Sequence, residues 1–145
     1  MKSFFDVDVR AALLERVQKI TPDSRATWGK MNAEQMLTHL VQAMRMAIGE
    51  LACEPKKLPI RFPPLRELIV YVLPWPKGSP TAPELIPSNS ESIDDSKREL
   101  ARLADAFAGY KGAWPEHPAF GRLSRGAWGV LVRRHIDHHL RQFGV

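Results

Sequence analysis

The chain has 145 residues, 44% of them hydrophobic and 26% charged, with a formal charge of +5. That length suits one domain spanning residues 1–145, and the composition is that of a folded globular protein. It excludes a disordered chain, a collagen-like repeat and a disulfide-stapled miniprotein, since Cys53 is the single cysteine.

The first predicted helix starts at Asp6, where Val9, Leu13, Leu14, Val17 and Ile20 recur every three or four residues. Pro22 and Asp23 stop it. The second starts at Asn32, with Gln35 three residues on completing a capping-box pattern. Met36, Leu37, Leu40, Ala43, Met44 and Ala47 form its apolar stripe, and Gly49 stands near its end. The short connection between these two helices predicts that they pack antiparallel.

Residues 54–87 hold nine of the twelve prolines. Proline lacks the amide donor and fixes φ, so no long regular element is expected there. A short helix from Pro64 through Leu73 fits a first-turn proline, and a strand over residues 68–73 is the alternative, because Ile69, Val70 and Val72 are β-branched. A long connection of this kind is a candidate lid. The third long helix is expected from Ser92 to Phe107, with Ser92 as cap and Asp94 and Asp95 at the positive end of the dipole. The fourth runs from Ser124 to Phe143, ended by Gly144. Gly126 and Gly129 weaken its first turns, and close packing against a neighbour would explain them. Four amphipathic helices without a set of strands predict an all-α, four-helix bundle carrying a proline-rich insert between the second and third long helices.

The informative residues are histidines. On the last helix Trp128, Leu131, Val132, His135, His139 and Gln142 share one stripe, with Arg133, Arg134, Asp137 and Arg141 opposite. The histidines therefore occupy the core-facing side, where imidazole nitrogens need partners. One helical turn separates His135 from His139, so both rings can converge on a metal such as zinc, nickel, iron or copper. His39, at the margin of the second helix's stripe, can complete a three-histidine site if the two helices are neighbours. His138 lies at the stripe's edge, and His117, between prolines, reads as a loop residue outside the cluster. The alternative is a non-catalytic helical protein whose histidines are satisfied by hydrogen bonds.

The segment Trp28-Gly29-Lys30-Met31-Asn32-Ala33-Glu34-Gln35-Met36-Leu37-Thr38-His39-Leu40 resembles the start of the second helix in the DinB/YfiT-like superfamily, in its DUF1569 branch. Pro74-Trp75-Pro76-Lys77-Gly78 with Pro80-Thr81-Ala82-Pro83 is similar to that branch's central motif. His117-Pro118-Ala119-Phe120-Gly121-Arg122-Leu123-Ser124, Trp128-Gly129, and His135-Ile136-Asp137-His138-His139-Leu140-Arg141-Gln142-Phe143-Gly144-Val145 resemble its C-terminal signature.

The resemblance implies a four-helix bundle holding a divalent metal (zinc, nickel, iron or manganese) on His39, His135 and His139. It implies a metal-dependent hydrolase or thiol-dependent S-transferase, acting on a small-molecule substrate with or without a low-molecular-weight thiol. His138 and Gln142 are then candidates for orienting a ligand or shuttling a proton, and Trp28, Trp75 and Trp128 for lining the pocket. No nucleic-acid motif accompanies the basic residues, and no apolar run approaches the ~20 residues of a membrane span, so neither partner is expected. The N-terminus turns acidic at Asp6 and Asp8 with no signal-peptide core, which together with the lone cysteine predicts a cytoplasmic location. The resemblance also implies a homodimer, with the oligomeric state left open by the sequence itself.

Overall fold

The computed structural model describes residues 1–79 and 81–145; Pro80, part of the central proline motif, lies outside the described residues. Among the described residues every regular element is helical, and the only β-type pairing is an isolated antiparallel bridge between His117 and Gly121. The long helices are α1 (Val7–Gln18), α2 (Ala33–Ala47), α4 (Ile93–Ala108) and α5 (Arg125–Gln142). The short α3 (Leu65–Glu67) runs directly into a wider π-type turn over Leu68–Val72, so the apolar run is helical and not a strand. Single 3-10 turns at Pro59–Arg61 and Pro83–Leu85 flank it. Among the described residues no helix is long and apolar enough to cross a membrane.

The caps form as the sequence dictates. Asn32 Oδ1 accepts from the Gln35 amide (2.8 Å) while Gln35 Oε1 accepts from the Asn32 amide (2.9 Å), satisfying two N–H groups that the first turn of α2 leaves without partners. Ser92 and Ser124 accept from the amides of Asp95 and Ala127 in the same manner.

The expected side-by-side pairing of α1 and α2 is not the principal packing. α1 lies mainly against α5 and α4, and α2 against α4, α5 and the Pro83–Leu85 turn. The linker explains the difference, because Thr27 donates to the Gln142 carbonyl through both its amide (2.7 Å) and its hydroxyl (3.0 Å). The chain is thereby carried past the C-terminal end of α5 before α2 begins. Packed on several sides, α2 buries Thr38, His39, Val41 and Met46 as well as its predicted stripe.

The proline-rich stretch folds back over α5. Arg134 donates to the carbonyls of Ile69 (2.9 Å), Val70 (2.8 Å) and Leu73, oxygens that the end of a helical segment leaves without partners. Trp75 Nε1–H also donates to Ile69 (3.0 Å). Proline cannot supply those donors, so the Arg134 guanidinium on α5 and the indole of Trp75 within the stretch do.

Gly129 has the packing reason expected of it, and Gly126 does not. A Cβ on Gly129 would strike Ser3 Oγ and come within 2.6 Å of the Phe5 ring, while one on Gly126 would meet nothing closer than Ser124 Oγ at 3.9 Å. Chemical denaturation should therefore separate two identical substitutions on one helix. Gly129→Ala should lose ~1–3 kcal/mol by overpacking, whereas Gly126→Ala should be neutral or gain up to ~1 kcal/mol from helix propensity.

Candidate metal centre

His39, His135 and His139 come together. His135 Nε2 lies 3.0 Å from His39 Nε2 and 3.2 Å from His139 Nε2, and one ligand atom from each ring falls within 4.8 Å of the others. The rings meet edge to face, with centroids 4.8–4.9 Å apart. His39 is 2% exposed despite its place off the predicted stripe, because α2 is enclosed on the side facing Leu85.

The far nitrogens decide what the near ones present. His39 Nδ1 lies 2.7 Å from the Leu85 carbonyl. A carbonyl only accepts, so Nδ1 carries the proton and Nε2 of the neutral ring holds a lone pair. His139 Nδ1 lies 2.8 Å from Gln142 Oε1, and Gln142 Nε2 donates to the Trp28 carbonyl at 2.8 Å. That second bond fixes which end of the amide faces the histidine, so His139 also turns a lone pair inward. A Cβ on Gly29 would come within 2.6 Å of Gln142 Nε2, and Gly29 sits at φ +81, so glycine is what lets the chain approach here.

Two lone pairs therefore face His135 Nε2 at close range. One proton on His135 can serve only one of them at a time. Further protons are disfavoured: burial, then the neighbouring imidazoles, push His135 well below the ordinary histidine value and His139 to about 3, and burial lowers His39. Three nitrogens bound to zinc at 2.0–2.2 Å would stand about 2.8–3.6 Å from one another. The observed 3.0 and 3.2 Å separations and the tautomers fit a cation held by three imidazoles.

The remaining site candidates surround a cavity of about 550 Å³ that the three histidines also line. Trp28, Trp75 and Trp128 all contribute to its wall. His138 makes no hydrogen bond to the three histidines, but its ring meets His139 edge to face at 5.2 Å and lies 5.7 Å from Trp28 and 6.1 Å from Trp75. His117 is in a loop and outside the cluster, as its flanking prolines suggest, yet it lines the same cavity. Two further contributors, the carbonyls of Leu85 and Trp28, are main-chain groups with no side-chain signal.

A family model described as "Protein of unknown function (DUF1569)" matches residues 4–144, and the chain belongs to that family. No curated protein and no solved structure matches it.

Two outcomes follow from this geometry. Gln142→Leu removes the acceptor that orients His139, and metal affinity measured by chelator competition should fall ~10–100-fold. Protonation is the second. His117 and His139 are held near 3 in the folded chain, chiefly by burial, against 6.5 when unfolded. The unfolded chain therefore binds more protons below pH 6.5, and folding stability is lost as pH falls through this window. Between pH 6.5 and about 5, above the carboxylate range, the melting temperature of chelator-treated protein should drop. His117→Gln should flatten that slope.

Proposed function

We propose that the chain is a divalent-metal-dependent enzyme of small-molecule chemistry, with the metal on Nε2 of His39, His135 and His139. The observation that carries this reading is the pair of fixed lone pairs on His39 and His139 aimed at His135 Nε2. When bound, a divalent ion with three neutral imidazoles keeps its full charge and open positions, and acidifies water or a thiol toward a nucleophile near neutral pH. Leu85 and Gln142 orient the ligands, and Trp28 and Trp75 flank the cavity beside His138. Half-buried His138, kept less basic than usual by burial, is placed to pass a proton between the cavity and solvent.

The four long helices, two of which carry the histidine cluster, are in keeping with a single DinB/YfiT-like four-helix bundle with a proline-rich insert. The reaction is then hydrolysis or thiol-dependent transfer.

Protein purified without an affinity tag and dialysed against zinc or cobalt should take up one equivalent of metal. His135→Ala should lower its affinity at least ~100-fold, since three ligands become two, while His117→Ala should leave it unchanged. Less than ~0.1 equivalent, with no uptake on titration, would favour a non-catalytic protein whose histidines only bond to one another.

A further inference from the structure

His117 is built as a hydrogen-bond donor. Its Nδ1 accepts from two backbone amides, Ala119 (3.1 Å) and Phe120 (3.2 Å), so the proton of the neutral ring sits on Nε2. The ring cannot readily turn. Its own amide and carbonyl are both paired with Gly121 at 2.8 Å, and it packs on Phe120 and Trp128 with centroids 4.9 and 5.5 Å away. Among the described residues nothing accepts from Nε2–H, and the residue lines the cavity that holds the three histidines. Beside it, Trp128 is 1% exposed and its Nε1–H also lacks an acceptor. The Trp128 donor is buried, and a buried donor is expected to find a partner; His117 is half-buried, and its Nε2–H has no acceptor among the described residues where it lines the cavity.

The charge of the wall says what kind. Among the described residues only two charged ones line the cavity, Lys30 and Lys56, and no aspartate or glutamate does. Glu84, whose charge reaches Lys56, accepts from the Glu54 amide and stands outside the lining. Most of the remaining wall is apolar, including Met31, Met44, Leu73 and Leu131. A volume of about 550 Å³ lies within the range of small-molecule sites.

We propose that this cavity takes an apolar monocarboxylate, with one carboxylate oxygen accepting from His117 Nε2–H and the hydrocarbon body against the methionine, leucine and tryptophan side chains. This names the substrate class for the site read above and rests on the cavity being where substrate binds.

Titration calorimetry with decanoate, decanol and decylammonium tests it, using chelator-treated and zinc-loaded protein in parallel. Decanoate should bind both forms at least ~10-fold more tightly than decanol, as a charge-assisted hydrogen bond allows, and decylammonium should bind more weakly than either. His117→Phe should erase the preference for decanoate and leave decanol unchanged, while His117→Gln, which keeps an N–H donor, should retain most of it. Decanoate binding no tighter than decanol, or indifferent to His117→Phe, would overturn the proposal. So would decanoate binding confined to the zinc-loaded form, which would place the carboxylate on the metal. If His117→Phe does not fold, nitrogen-detected spectra of the wild type decide: the His117 Nε2–H resonance should move on adding decanoate, and a stationary one overturns the proposal. Absence of zinc uptake would count against the metal reading alone, because the chelator-treated arm stands without it.

Discussion

Two imidazoles are compelled to point lone pairs at a third ring nitrogen, and much of the molecule is arranged to keep them there. An isolated pair of facing acceptors is repulsive, and rotation of either ring would relieve it. Rotation is prevented by what holds the far nitrogens: the Leu85 carbonyl for His39, and for His139 a Gln142 amide itself held by the Trp28 carbonyl. Both carbonyls, Leu85 and Trp28, come from segments distant in sequence from the groups they hold. The Pro83–Leu85 turn must return to α2, and the linker before α2 must pass the C-terminal end of α5, where Thr27 ties it. The architecture brings two helices, one turn and one linker to the same few ångströms.

The proline-rich stretch is part of this arrangement. Prolines forbid a long helix there and leave main-chain carbonyls without intrahelical donors. Arg134, one residue before His135, supplies three of the missing bonds, and its guanidinium also lies 5.2 Å from the Trp75 ring centre. The helix that carries two histidines of the cluster therefore also holds the wall beside them. Desolvation makes the Arg134 guanidinium less basic than an exposed one, and the carbonyls around it compensate for lost water contacts.

How much of this was readable from sequence depended on whether the signal was local. The caps at Asn32, Ser92 and Ser124 and the one-turn spacing of His135 and His139 are set by neighbours within four residues, and they stand where the pattern placed them. His39 lay off its stripe because periodicity describes one buried face, whereas α2 is packed on several. The pairing of α1 failed for a related reason: linker length says what the chain can reach, and the Thr27 bond to α5 says where it goes. The Leu85 and Trp28 carbonyls left no trace, since every residue has a carbonyl. His117 was legible as a loop residue but not as a cavity-wall donor, because its tautomer depends on a tight turn that brings two amides onto one nitrogen.

The two supports differ in their exposure to genetic variation. The oxygen that orients His39 belongs to the main chain, so no replacement of the side chain at position 85 can delete it. The oxygen that orients His139 belongs to a side chain that must accept at one end and donate at the other. A glutamate at 142 would keep the acceptor and lose the donor, a leucine would lose both, and an asparagine would fall short by a methylene. Natural drift in the electronic character of this cluster therefore has one open channel: it runs through a single codon at the end of α5, while the opposite ring is insulated from it by the backbone.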